Sequence, residues 1–413
     1  MWEFKNVLHS KCGTLPPFGE PAKTGLFFIS DYRDVTCKPG RDPAYWVLKE
    51  LDRADRFKVY GTANRVINSS CFGNIDFLML DYKGDIQIQK PGYNYAIYKA
   101  YKKVKDSVEI IHHCEKFQVG RGYNLIPLLS GLSDKSLILG PMHFPHFVFE
   151  SDYLAGTSGM SKTLKKFEFK NKKLFNIAFK MFFKKTVTRA DKVIVPNQQV
   201  KKELENYISP KKIKIINYGV DLPLYRKHEY KADENNFKIL FPSMAIERKG
   251  VEYLLEAIYI VKKQIPEVKL YLLTDGYKVN DYKMIVKKLG ISKNVVFCGK
   301  LEQNKYLELL SNCRMMCQPT LSDSYGWTVL DAMCLGVPVV TTEKCGCPDL
   351  FENGDIGIRV KPKDPYAIAE AILKLFNDHE LCKKFSRTGL NKREDYDYKE
   401  IASKYIELYK EWV

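Results

Sequence analysis

Arg314-Met315-Met316-Cys317-Gln318 is a short apolar run. It leads through Pro319-Thr320-Leu321-Ser322-Asp323-Ser324-Tyr325 into Gly326-Trp327-Thr328-Val329-Leu330-Asp331-Ala332-Met333-Cys334-Leu335, and then into Val337-Pro338-Val339-Val340-Thr341. The flanking runs predict buried strands and the middle run a helix. The same alternation extends outward on the N-terminal side. Strands are expected at 238–241, 268–273 and 295–298, with helices at 281–289 and 305–312 between them. Val251, Leu254, Leu255, Ile258 and Val261 recur with the period of one helix face, which predicts an amphipathic helix there. No hairpin turn interrupts the series, so a doubly wound parallel sheet is expected.

The N-terminal half repeats the pattern less regularly. Residues 25–30, 108–112, 136–140, 192–196 and 213–216 read as strands, and 44–54 as a helix. Residues 1–23 read as an irregular extension, and the polar stretch 221–236 as a structureless linker. The expectation is therefore an α/β protein of two doubly wound domains.

Composition narrows the function. The chain has 413 residues, 45% of them apolar and 28% charged, which is too apolar for a disordered protein and large enough for two cores. Lys and Arg outnumber Asp and Glu by 66 to 49, a net charge of +17. That surplus favours anionic partners: nucleotides, nucleic acid or acidic headgroups. No apolar run reaches the length of a membrane span, and the N-terminus shows no secretory h-region. The 11 cysteines are scattered, as expected for thiols in a reducing compartment. Cys313/Cys317 and Cys345-Gly346-Cys347 lack the spacing and the histidines of a zinc site, so no metal is expected.

Neither a Gly-x-Gly-x-x-Gly turn nor a Gly-x4-Gly-Lys-Ser/Thr loop is present. Two other strand-to-helix turns carry the chemistry. In Ala245-Ile246-Glu247-Arg248-Lys249-Gly250, two cations lie at the positive end of a helix. They fit a bound phosphate, which would accept the free N–H groups and pair with both. A solvated basic turn is the other reading. In the second turn, Ser324, Tyr325 and Gly326 offer backbone amides to an anion, while Asp323 and Ser324 also fit a helix cap. Asp331 lies among apolar residues inside the helix, where a carboxylate needs a partner: ligand hydroxyls or an internal ion pair.

Two anion cradles at strand ends of one domain fit a nucleoside diphosphate in an interdomain crevice. With several further segments, they give the C-terminal half the look of a known family. Thr188-Arg189-Ala190-Asp191-Lys192-Val193-Ile194-Val195-Pro196, Tyr218-Gly219-Val220-Asp221, Lys249-Gly250, Asp323-Ser324-Tyr325-Gly326 with Asp331-Ala332-Met333, Gly336-Val337-Pro338 and Cys345-Gly346-Cys347-Pro348-Asp349 appear in the order of glycosyltransferase family 4. The resemblance covers 188–380 well and the N-terminal half loosely. It departs where Asp323 and Asp331 replace two glutamates, and where Met244 replaces an arginine.

The resemblance implies the GT-B architecture: an acceptor-side domain over 1–220, a nucleotide-sugar domain over 221–394, and a final helix over 395–413 packing back. It implies retaining, metal-independent transfer of a hexose from a nucleoside diphosphate sugar to a glycan, lipid-linked or small-molecule acceptor. The donor is a substrate, and no cofactor is implied. Lys249, Asp323 and His143 become the expected catalytic set. Arg248, Lys249, Ser324, Tyr325, Gly326 and Asp331 become the expected nucleotide-sugar contacts. His143 ends Leu137-Ile138-Leu139-Gly140-Pro141-Met142-His143, while His112 is expected to pack. Asp395-Tyr396-Asp397 reads as solvated surface rather than a metal motif.

Residues 162–185 combine many lysines with helically spaced apolar residues, which fits a solvated helix face or an anionic membrane surface. Localisation is expected in the cytoplasm, with a peripheral position on the inner membrane face open. The alternatives are a nucleotide-sugar epimerase of the same architecture, or a non-catalytic basic module for membranes or nucleic acid. No nucleic-acid reader motif is present, so nucleic acid is not an expected partner.

Overall fold

A computed structural model describes residues 23–30, 34–35, 43–54, 56–63, 65–66, 70, 72–80, 91–114, 117–118, 135–143, 181, 183–231, 235–243, 246–274, 278–323, 325–352 and 355–412. The expected extension over 1–23 therefore lies, but for residue 23, outside the described residues. So do Met244, Ser324 and most of the basic segment 162–185.

The first sheet contains β1 (Thr24–Ser30), β2 (Phe57–Ala63), β3 (Ile75–Met79), β4 (Ile110–Cys114), β5 (Ser136–Leu139), β6 (Lys192–Val195) and β7 (Ile213–Ile215). These seven strands run parallel in the order β7-β6-β5-β4-β1-β2-β3. The second sheet has six parallel strands: β8 (Lys238–Phe241), β9 (Lys269–Leu272), β10 (Val295–Phe297), β11 (Met315–Gln318), β12 (Val339–Thr342) and β13 (Gly357–Val360). Their order is β10-β9-β8-β11-β12-β13. Both sheets start in the middle, grow to one edge and then reverse, which is the doubly wound order. The reversal in the second sheet falls between β8 and β11. Doubly wound sheets hold their ligands in the crevice outside the carboxyl ends of the strands at such a point.

The helices that position the site are α1 (Pro43–Ala54), α2 (Leu222–Tyr225), α3 (Val251–Val261), α4 (Gln303–Ser311), α5 (Trp327–Leu335) and α6 (Tyr398–Tyr409). The apolar stripe read for α3 is the buried face: Val251, Leu254, Leu255, Ile258 and Val261 lie fully inside the core on one side of the second sheet. On the other side α4, α5 and α2 share a second core.

Over residues 221–231 the expected structureless linker is an ordered connection instead. Leu222 and Tyr225 are apolar enough to nucleate α2, and both are buried against α5. The chain then returns across the junction. Val220 N–H donates to the Tyr396 carbonyl at 2.8 Å, and Tyr398 N–H donates to Val220 at 3.0 Å. Asp397 caps α6 by accepting from Lys399 N–H. Asp395-Tyr396-Asp397 is thus a joint, with Asp395 exposed and Asp397 half-buried, and not simply solvated surface.

α6 packs along α1, with Trp46 stacked on Tyr398 at 4.6 Å and 12°. Its Ile401, Tyr405, Leu408 and Tyr409 complete the core that includes Leu26, Phe28 and Ile138 of the first sheet. His112 is buried there. Its Nε2–H donates to the Gly140 carbonyl at 3.0 Å, and Nδ1 accepts from the Tyr409 hydroxyl at 2.5 Å. Burial holds His112 far below its ordinary value, at about 3, so the ring is neutral. The packing role expected for His112 is the one it has.

Candidate active site

The β8–α3 connection ends in a turn over Glu247–Lys249 and then Gly250. Gly250 has φ 68°, and a Cβ there would fall 2.1 Å from the Pro319 carbonyl oxygen. Glycine is therefore required where this turn touches the loop after β11. The two loops are stitched together at several atoms. Leu321 N–H donates to the Arg248 carbonyl at 2.8 Å, and the Arg248 guanidinium donates to the Ser322 carbonyl at 2.8 Å. Thr320 Oγ1 donates to the Arg248 carbonyl at 3.1 Å.

This stitching brings Lys249 and Asp323 together. Lys249 Nζ lies 2.6 Å from Asp323 Oδ2, and Arg248 Nη1 lies 3.9 Å from Oδ1. Gln318 donates from Nε2 to the same carboxylate at 3.4 Å, and its Oε1 accepts from the Thr328 hydroxyl. The Lys249 and Asp323 side chains keep only 12% and 13% exposure, enough to open toward a ligand without being solvated. Burial alone raises the Asp323 carboxyl. Lys249, Arg248 and the Tyr325 N–H outweigh it and hold it at about 2. Asp323 thus gives Arg248 and Lys249 an anionic partner from within the chain.

Gly326 precedes α5 with φ 78°. The Tyr325 phenol points away from the crevice. It is buried, donates to the Tyr218 carbonyl at 3.3 Å and stands edge-on to the Tyr218 ring at 4.7 Å. Tyr325 therefore faces the crevice by its backbone alone. The nucleotide-sugar contact expected of its backbone amide stays a proposal.

The nucleotide-sugar contact expected of Asp331 also stays a proposal. Asp331 is fully buried, and its partners are protein hydroxyls: Tyr225 Oη donates to Oδ1 at 2.5 Å and Tyr306 Oη to Oδ2 at 2.8 Å. Its carboxylate lies within the α2–α4–α5 core. His143 lies in a two-residue strand with Met142, paired to Phe117-Gln118; its side chain is outside the described residues. The strand pairing leaves the catalytic reading of His143 a proposal.

Gln318, Thr328, Tyr225 and Tyr306 were not singled out from sequence. Gln318 carried a signal, a polar residue closing an apolar strand. The two tyrosines carried none, because their roles depend on three separate elements meeting. Beside this cluster lies a cavity of about 370 Å³ lined by Asp221, Tyr225, Glu302, Asn304, Trp327 and Tyr398, among other residues. Among the described residues no helix is long and apolar enough to cross a membrane.

Comparison with known proteins agrees with this geometry. The family Glycosyl transferases group 1 matches residues 226–392, and Glycosyltransferase Family 4 matches residues 100–223. The chain belongs to the family 4-type glycosyltransferases. The cation turn falls within the first of these matches, and the linker straddles the gap between the two. The chain is similar to N-acetyl-alpha-D-glucosaminyl L-malate synthase of Bacillus anthracis, at 26% identity over 54% of this chain and 60% of that protein. It is also similar to the sulfoquinovosyl transferase SQD2 of Arabidopsis thaliana, at 26% identity over 52% of this chain and 43% of that one. The chain thus spans about half the length of these curated relatives. Among solved structures, sucrose-phosphate synthase from Thermosynechococcus elongatus superposes with a TM-score of 0.70 at 18% identity, covering 94% of this chain and 99% of that one. Anabaena HepE in complex with UDP and glucose superposes with a TM-score of 0.65 at 16% identity, covering 94% and 100%. At such identities the likeness establishes the two-domain GT-B fold of this family member.

Proposed function

We propose that this protein transfers a hexose from a nucleoside diphosphate sugar to a glycan, lipid-linked or small-molecule acceptor, with retention at the anomeric carbon. The observation that carries the reading is the Arg248–Lys249–Asp323 cluster at the switch point of the second sheet, in a chain of the family 4 type. A relative of the same fold is seen with UDP and glucose, which supports a nucleoside diphosphate in this crevice.

The chemistry follows from the charges. As the bond to the donor's diphosphate breaks, negative charge grows on the leaving oxygens, where Lys249, Arg248 and helix-end amides meet it. Asp323 then exchanges one Lys249 contact for the sugar hydroxyls. With no covalent nucleophile assigned, the acceptor attacks from the face the diphosphate leaves, through an oxocarbenium-like state. His143 approaches the transferred sugar from the first domain. Neither a metal nor a cofactor is part of this scheme. Asp331 acts indirectly, by fixing Tyr225 and Tyr306. A peripheral position on an anionic membrane face through 162–185 belongs to the same proposal, since it suits a lipid-linked acceptor.

The test is a thermal-shift panel of UDP, GDP, ADP and their sugar conjugates on the wild type and Lys249→Ala. A nucleotide at about 100 times its dissociation constant adds about 2.7 kcal/mol of stability. One base stabilising the wild type but not the variant supports the reading and names the donor. Stabilisation by none of them removes it. Inverted product, or activity lost to a chelator, removes the retaining or metal-independent part.

A further inference from the structure

Cys345 and Cys347 stand one residue apart in the loop after β12, with their sulfurs 3.2 Å apart and both side chains buried. We propose that they are a reversible dithiol–disulfide site that reports the redox state to the donor crevice. The placement carries the inference. Both sulfurs press on Gly326: a Cβ there would lie 2.8 Å from Cys347 Sγ and 2.9 Å from Cys345 Sγ. Gly326 immediately precedes α5 and follows Tyr325, whose N–H donates to Asp323. Between the two cysteines, the Gly346 carbonyl accepts from Asn197 Nδ2 of the first domain at 2.5 Å. Two residues on, the Asp349 carboxylate accepts from Gln198 N–H at 3.1 Å. The dithiol loop therefore touches both the amide end of the crevice and the contact between the domains.

A disulfide needs the sulfurs at about 2.05 Å, so closure draws them together by roughly an ångström. The oxidant is a low-molecular-weight disulfide. The Cys345 thiolate, whose residue is the more accessible at 5% against 1%, attacks one sulfur of it. That bond breaks, and the released thiolate takes up a proton. The Cys347 thiolate then attacks Cys345 Sγ and expels the second small thiolate, which is protonated in turn. Two protein thiols are oxidised, and one small disulfide is reduced to two thiols. Burial, then the hydrogen bond with Cys345, pushes the Cys347 thiol well up. Closure therefore accelerates as pH rises.

The redox chemistry stands by itself, while its effect on the crevice rests on the functional reading above. The experiment equilibrates the full-length protein in glutathione–glutathione disulfide mixtures, blocks free thiols with iodoacetamide and maps peptides by mass. In the wild type the peptide spanning 345–347 is expected to lose two hydrogens and resist alkylation, and to recover with dithiothreitol. Cys345→Ser and Cys347→Ser should each give only an alkylated or glutathione-capped peptide. Nucleotide-induced stabilisation should fall in the oxidised wild type and stay unchanged in Cys345→Ser under the same mixtures. A wild-type peptide with both thiols alkylated throughout the series overturns the site. A bridge that leaves nucleotide stabilisation unchanged overturns its coupling to the crevice. Failure of reduced wild type to be stabilised by any nucleotide strikes the functional reading instead, and the peptide map still decides the bridge.

Discussion

Two buried ionisable groups, His112 in the first domain and Asp323 in the second, meet the same desolvation and resolve it oppositely. His112 has a carbonyl, a phenol and aromatic rings around it, so it gives up its charge and becomes packing. Asp323 has Lys249 and Arg248 within reach and keeps its charge. The difference teaches where chemistry resides. A group that stays charged under a lid of protein is poised to trade its partner for a ligand, whereas one that neutralises serves the fold.

The largest expected effect breaks the charged side of this comparison. Lys249→Ala should lower kcat by about 10²–10³-fold, about 3–4 kcal/mol of transition-state stabilisation, by analogy with a lost oxyanion donor. Initial rates with the donor found in the thermal-shift panel check it, and a near-normal rate would refute the leaving-group role. Next is Asp331→Ala, which leaves two buried tyrosine hydroxyls without their acceptor and should destabilise by about 2–4 kcal/mol. Asp331→Asn, with one acceptor retained, should lose less. Denaturant unfolding without ligand measures both. An Asp331→Ala protein as stable as wild type would mean that its carboxylate serves a ligand and not the fold.

The neutral side is tested by acid. The folded value of His112 lies below its ordinary one, so the unfolded chain binds the extra proton. Its contribution is whole above about pH 6.5 and shrinks toward about pH 3, by about 1.4 kcal/mol per pH unit at most. The Asp323 contribution also disappears on acidification, but only from about pH 4 down toward its folded value of about 2. Melting followed from pH 7 to pH 4 should therefore fall in the wild type and flatten in His112→Asn. Equal slopes would dismiss the neutral-histidine account. The smallest effect is Tyr409→Phe, which removes one hydroxyl from the His112 ring and should cost about 1 kcal/mol in unfolding free energy.

The second domain was the more legible in sequence, and the reason lies in its strands. β8 is legible at its observed ends, and β9, β11 and β12 within two residues, because central parallel strands are continuous apolar runs. β2, β3 and β13 were not placed. β3 lies at the sheet edge and carries Asp76 and an exposed Met79, so its pattern is too mixed to stand out. The site divides the same way. Lys249, Arg248 and Asp323 were legible because each lies in a strand-to-helix turn where charge is conspicuous. Tyr225, Tyr306 and Gln318 were not, because a buried hydroxyl or amide looks ordinary until its partner is known.

By itself the sequence determined the doubly wound class, the two cation-and-amide turns and the family, since periodicity and turn chemistry are local properties of the chain. Only the tertiary structure decided who pairs with whom: Asp323 with Lys249, Asp331 with Tyr225 and Tyr306, His112 with Tyr409, and Cys345 with Cys347. Those pairings depend on distances of a few ångströms between remote segments. Whether a buried carboxylate awaits a ligand or already has its hydrogen bonds is settled by those distances.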